Sequence, residues 1–175
     1  MYKSSLAFAV ASGVLAQQAG AAGFIEDSKA ALSSRTMYFN ADNREGGADQ
    51  RESAQGFKLD YVSGFTPGTI GFGFDAQALW GIHLDGGKGH HPDSNTFFPS
   101  DTDGSAVDEW SRVGGNVKAR ISKTEGHLGS ALAPNLPILI ANDGRLLPQT
   151  FDGGIVTSKE IDNLTITAGQ MEHAY

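Results

Sequence analysis

The chain has 175 residues, 39% of them hydrophobic, and a formal charge of −7 at pH 7. No apolar run is long enough to cross a membrane as a helix, and the surplus of acid over base excludes broad electrostatic binding of nucleic acid. Cysteine is absent, which removes disulfide scaffolds, thiolate metal sites and cysteine nucleophiles, and the 23 glycines follow no collagen-like period.

The first residues carry an export signal. Lys3 gives a short positive start, an apolar run follows over 6–15, and Ala16, Ala19 and Ala21 are small. This order predicts a secretory signal peptide over 1–22, cleaved after Ala16 or near Ala21. The mature chain, 23–175, is then an exported acidic protein.

Strand patterns follow in sequence order. A strand is predicted over 30–39 from its aromatic end, although Ser33 and Ser34 blur its alternation; a long polar link over 41–54 follows. Phe57, Leu59 and Tyr61 alternate with Lys58, Asp60 and Val62, and the turn Gly64-Phe65-Thr66-Pro67-Gly68 closes this strand. The clearest segment is 69–84, where Ile70, Phe72, Phe74, Ala76, Ala78, Trp80, Ile82 and Leu84 occupy one parity without a break. Side chains alternate faces in a strand, so this segment has one wholly apolar face and one mainly small or polar face. After a long link over 85–109, Val113, Val117, Ala119 and Ile121 alternate with Arg112, Asn116, Lys118 and Arg120. Lys123-Thr124-Glu125 reads as a tight turn and 126–132 as a weaker strand; 151–161 and 164–169 form the last pair about a turn at Asp162-Asn163. The reading is all-β, an antiparallel meander of about seven strands.

Length and rhythm favour a membrane for these strands. Sixteen residues over 69–84 extend to roughly 53 Å, against about 5 or 6 residues for a typical globular strand. Tilted near 45°, such a strand covers about 37 Å, enough to cross a hydrocarbon core of about 30 Å. Long and short links alternate, as they do when one end of a barrel carries tight turns and the other long loops. Tyr38, Phe39, Phe65, Trp80 and Trp110 fall where interfacial aromatic girdles are expected.

With the apolar parity towards lipid, the other parity lines a lumen. That predicts pore-lining positions at Arg35, Lys58, Asp60, Asp75, Arg112, Lys118 and Arg120, charges of the kind that select solutes. The segment 133–149 is apolar at Leu136, Ile138, Leu139, Ile140, Leu146 and Leu147, and Pro134, Pro137 and Pro148 exclude a regular helix. A loop tucked against the inner wall accounts for both features; a buried strand plus turn is the alternative. His90 and His91 lack a third ligand at metal spacing and read as solvated loop residues. Gly86-Gly87-Lys88-Gly89 lacks the spacing of a phosphate loop, and no G-x-S-x-G nucleophile motif occurs, so neither a catalytic residue nor a metal site is predicted.

Four strings carry a family resemblance. Gly23-Phe24-Ile25-Glu26-Asp27-Ser28 with Arg35-Thr36-Met37-Tyr38-Phe39-Asn40 is similar to the mature start of OprD-type porins. Gly64-Phe65-Thr66-Pro67-Gly68-Thr69-Ile70-Gly71-Phe72-Gly73-Phe74-Asp75-Ala76 resembles their second hairpin, and Val113-Gly114-Gly115-Asn116-Val117-Lys118-Ala119-Arg120-Ile121-Ser122-Lys123-Thr124 the next block. Gly144-Arg145-Leu146-Leu147-Pro148-Gln149-Thr150 resembles the end of the inward-folded third loop. Glu125 to Leu132 departs by being richer in glycine and alanine.

The resemblance implies a monomeric, eighteen-stranded β-barrel in the Gram-negative outer membrane, inserted with the barrel-assembly machinery. It implies passive diffusion, without a cofactor, of small water-soluble and often carboxylate-bearing solutes such as amino acids, peptides or aromatic acids. By the same resemblance 133–149 narrows the pore, and Asp143 or Arg145 faces the eyelet. About seven strands leave two open edges, so the expectation is the N-terminal portion of such a barrel, which forms no stable channel by itself. The rival expectations are a soluble periplasmic β-domain that binds a small molecule and a non-functional truncated product.

Overall fold

The computed structural model describes residues 9–15, 23–42, 44, 46, 49–85, 90–92 and 97–175. Its strands are β1 (Ala9–Leu15), β2 (Lys29–Ala41), β3 (Gln50–Val62), β4 (Ile70–Asp85), β5 (Glu109–Ile121), β6 (Thr124–Leu132), β7 (Asn135–Leu136), β8 (Leu139–Ile140), β9 (Phe151–Ser158) and β10 (Ile166–Ala174). One eight-stranded sheet has the order β1-β2-β3-β4-β5-β6-β9-β10, and β7 and β8 pair as a separate small hairpin. Downstream of residue 22 the large sheet thus holds seven strands, each antiparallel to its neighbour in the chain.

β1 belongs to the segment expected as a signal peptide, and in the unprocessed chain it pairs with the free edge of β2, from Ala9↔Arg35 to Leu15↔Ala30. The proposed cleavage positions at Ala16 and Ala21 lie outside the described residues, as do Gly86 to Gly89.

The strands are long because their ladders run uninterrupted. β2 and β3 pair from Lys29↔Val62 to Ala41↔Gln50 without a register shift, and β4 and β5 from Ile70↔Ile121 to Ile82↔Glu109. The polar link expected over 41–54 is therefore only 42–49. Gln50, Arg51 and Glu52 look like loop in the sequence but belong to β3, where Gln50 and Glu52 are buried rather than solvated, Glu52 against His83 and His91. The tight turn between β5 and β6 is carried by Ser122, whose φ of 52° lies in the left-handed region; Asn163 (φ 63°) does the same before β10. Glu160 braces these adjacent turns by accepting from Lys123 N at 2.7 Å, Ser122 Oγ at 3.0 Å and Thr124 Oγ1 at 3.1 Å. The Lys123 backbone donor is the main reason its carboxyl titrates below the ordinary range.

Register places Leu32, Leu59, Ala78 and Val113 in one row across four strands, and Phe74, Val117 and Leu128 in another. These rows form a continuous apolar face that nothing covers: Val113 is 79% exposed and Phe72 57%. A water-soluble domain does not leave such a face bare. The opposite face carries the polar parity and, at the long-loop end, the buried cluster of Ala54, Phe98 and Leu146 with Met37, Phe39, Phe97 and Trp110 packed on it.

This arrangement corrects part of the aromatic assignment. Tyr38 and Trp80 are on the apolar face, with Trp80 stacked on Phe57 at 5.8 Å. Phe39, Phe65 and Trp110 are on the other. Trp110 lies across Gly81, where a Cβ would come within 2.5 Å of its ring, so only glycine admits it.

Replacing Phe74 by Arg puts a charge on the apolar face, at a cost of about 2–4 kcal/mol near the bilayer midplane. Refolded from urea into lipid vesicles, the Phe74→Arg chain is expected to insert far less than wild type and Gln77→Arg about as well; equal losses at both positions would contradict a lipid-facing apolar side.

Candidate functional site

The polar face begins, at the long-loop end, with segments folded back onto the sheet. Segment 90–92 approaches β3 through a backbone bond from Arg51 N to His90 O at 3.1 Å. His91 is almost fully buried, with Nδ1 against Glu52 Oε1 and Nε2 2.7 Å from Ser100 Oγ; His83 reaches the same Glu52 oxygen at 3.2 Å. The expectation of a solvated His91 is thus wrong: Glu52 on β3 draws the histidine inward. Among the described residues no three His, Cys, Asp or Glu side chains form a group that could hold a metal ion.

Segment 133–149 also lies on the polar face. Leu146 is buried against Gly56, where an added Cβ would meet it at 3.0 Å. Arg35 on β2 donates through Nη1 to the carbonyls of Asp143 (2.9 Å) and Arg145 (2.7 Å), and through Nη2 to Asp143 Oδ2 at 3.0 Å. One guanidinium therefore ties down the segment's turn, and Arg35 serves as its anchor rather than as an open charge. The alternative of a buried strand plus turn survives only as the two-residue strands β7 and β8. A cleft of about 590 Å³ lies between this segment and 97–100, with Phe98, Trp110, Arg112, Arg145, Leu147 and Tyr175 among its walls.

Midway along the sheet, Lys58 Nζ pairs with Asp60 Oδ2 at 2.8 Å, and Asp60 also accepts from Gln77 Nε2 at 2.8 Å. Arg112 donates to Ser130 O at 2.7 Å and lies 3.8 Å from the centre of the Tyr175 ring. Towards the short turns, Lys118 is buried, bonded to Asp75 Oδ1 at 2.7 Å and to Ser63 O at 2.8 Å. The second oxygen of Asp75 faces His127 Nδ1 at 3.3 Å, and His127 Nε2 is 2.7 Å from Glu125 Oε1. Phe65 folds in from its turn beneath Arg120, 4.2 Å away, and Lys118, 5.0 Å away.

All seven sequence-chosen wall residues therefore share the polar face, but they differ in availability. Lys58 and Lys118 are neutralised, Asp60 and Asp75 are the acids that neutralise them, and Arg35 and Arg112 are held by carbonyls. Asp143 is held by Arg35. Among the described residues, the exposed side chains of Arg120 and Arg145 have no acidic partner. Sequence reasoning missed Glu52, His83, His127 and Tyr175; the tight β5–β6 turn sets the register that puts His127 opposite Lys118 and Glu125 opposite Arg120.

A long-stranded antiparallel sheet, apolar on one side and charged with inward-folded segments on the other, defines a wall of an outer-membrane β-barrel. The particular family follows from comparison: the family model for outer membrane porins of the OprD family matches residues 22–175, and the chain belongs to that family. It is 44% identical to Porin D of Pseudomonas aeruginosa over 94% of this chain and 37% of that protein, and 44% identical to the porin-like protein GalP of Pseudomonas putida over 87% and 37%. Among solved structures, a BenF-like porin from Pseudomonas fluorescens matches with a TM-score of 0.79 at 46% identity, covering 87% of this chain and 39% of that one. OpdK of Pseudomonas aeruginosa, crystallised with vanillate, matches at 0.78 and 43%, covering 87% and 38%. The chain thus spans little more than a third of the length of these relatives.

A chimera that joins residues 23–175 to the remaining strands of the BenF-like porin, accepted once heat-shifted gel mobility shows a folded barrel, is the system in which Arg35 is tested. The Arg35 bonds are solvent-exposed and contribute about 0.5–1 kcal/mol each. Arg35→Ala is expected to raise single-channel conductance and opening noise in planar bilayers, with Arg35→Lys intermediate; unchanged traces would show that 133–149 is held without it.

Proposed function

We propose that residues 23–175 form the N-terminal wall of an outer-membrane channel for passive diffusion of small water-soluble solutes that bear a carboxylate. The observation that carries this is the unequal commitment of the cations. Asp60 and Asp75 take Lys58 and Lys118 out of play, whereas Arg120 and Arg145 keep their charge open on the polar face. An open guanidinium on a pore wall replaces part of the hydration a carboxylate loses on going in. In this reading the polar face is the lumen and 133–149 the constriction, with Arg145 at its tip. Anchoring of that segment by Arg35 and the apolar contact of Leu146 with Gly56 support it.

The vanillate of the OpdK crystal is an aromatic carboxylate and supports an aromatic acid as one solute class. The cleft walled by Phe98, Trp110, Tyr175, Arg112 and Arg145 has the chemistry for a flat acid, an aromatic lining with cations among its walls. Outer-membrane lipid on the apolar face, insertion through the barrel-assembly machinery and a monomeric barrel belong to the same reading. Passage in this reading is passive diffusion, a process that calls for no cofactor.

The joined barrel tests this with two probes, vanillate and the uncharged vanillyl alcohol. Vanillate is expected to block single-channel current, and Arg145→Ala to weaken that block about 5- to 10-fold, roughly 1–1.4 kcal/mol, without altering the alcohol's effect. A barrel that inserts but passes no ions, or that treats acid and alcohol alike, would contradict the proposal.

A further inference from the structure

Arg120 ought to be neutralised, and it is not. It stands directly opposite Glu125 in the β5–β6 ladder, on the same face of the sheet. Opposed positions bring Cβ atoms to about 4.5–5.5 Å, and opposite charges placed so attract one another. Yet Glu125 makes no ion pair with Arg120; its Oε1 lies 2.7 Å from His127 Nε2 instead. The nearby alternative acid is Asp75, and both of its oxygens are engaged, one by Lys118 and the other by His127 Nδ1. His127 thus faces one carboxylate with each ring nitrogen. Arg120 is left with the Phe65 ring 4.2 Å away, which supports the guanidinium from one side without offsetting its charge.

We infer that His127 is a specificity-determining, positioning residue: by holding Glu125 it keeps Arg120 open to a passing carboxylate at the short-turn end of the lumen. The inference rests on the carboxylate-channel reading above. The histidine touches no solute. Its effect runs through Glu125, two residues away on β6, and so depends on a single alternative, whether that carboxylate turns to the imidazole or across to the arginine. With the imidazole gone, Asp75 keeps Lys118, and Glu125 loses the partner that turns it away from Arg120. The wall would then lose an open positive charge although no cation had been altered.

The joined barrel, read by vanillate block of single-channel current, separates this from a packing role. Arg120→Ala and His127→Ala are each expected to weaken the block about 5-fold. The double variant His127→Ala/Glu125→Gln is expected to regain most of it, since no acid remains to quench Arg120. Heat-shifted mobility on gels establishes that each variant is a folded barrel, and His127→Leu, which keeps bulk, takes the place of His127→Ala if the latter does not insert. Full block in His127→Ala, or equal loss in the single and double variants, would overturn the inference. Absence of any vanillate block in the unsubstituted barrel would instead overturn the channel reading on which it rests.

Discussion

Backbone hydrogen bonding in hydrocarbon is the constraint from which the rest follows. No water is present there to satisfy an N–H or C=O, so each strand must be paired along its length. The ladders of β2 with β3 and of β4 with β5 meet that demand without a single slipped register. Once they are fixed, the period of two leaves no choice about the faces, because every second side chain must point to lipid. Phe72, Phe74, Val113 and Val117 fulfil that role by being bare, which in water would be a defect. The edges are where that rule is not yet met: among the described residues β10 pairs only with β9, and β2 has β1 beyond it only while residues 1–22 stay attached.

The opposite face is built by subtraction. The sequence supplies several cations there, and the structure engages most of them with acids or backbone carbonyls. Lys118 holds Asp75 and the carbonyl of Ser63, thereby fastening the 63–68 turn on which Phe65 sits. Arg35 fastens 133–149, and Glu52 fastens 90–92 through His91. In the channel proposed above, selectivity would depend less on how many basic residues the wall has than on which remain unengaged.

Much of this was legible in advance, and the reasons for the exceptions are specific. β4 declared itself by length and unbroken alternation; the apolarity of 133–149 was a partial guide, since Leu146 is buried against the polar face whereas Ile138 and Ile140 are 92% and 64% exposed. The start of β3 was hidden because Gln50, Arg51 and Glu52 are polar, and their burial depends on His83 and His91, residues remote in sequence. Trp110 and Phe39 could have been assigned to the polar face from their parity with Arg112 and Arg35; attention to aromatic type alone sent them to a girdle. Phe65 could not, since its place depends on how its turn folds over Lys118. The state of each cation was equally hidden. Pairing of Asp75 with Lys118, or of Glu125 with His127 rather than Arg120, needs both the register and the rotamers, neither of which alternation encodes.

The two-faced sheet is the claim on which everything above stands, and the absence of cysteine makes it directly measurable. Single cysteines placed in turn at 70–79 of the joined barrel in vesicles would be tested with a water-soluble thiol reagent and with a lipid-borne quencher of an attached fluorophore. Reagent access is expected at 75 and 77, quenching at 70, 72, 74, 76 and 78, and neither at 71, 73 and 79, which Phe65, the 63–64 backbone and the folded-back segments cover on the polar face. A uniform response along β4, or the reverse alternation, would contradict the account.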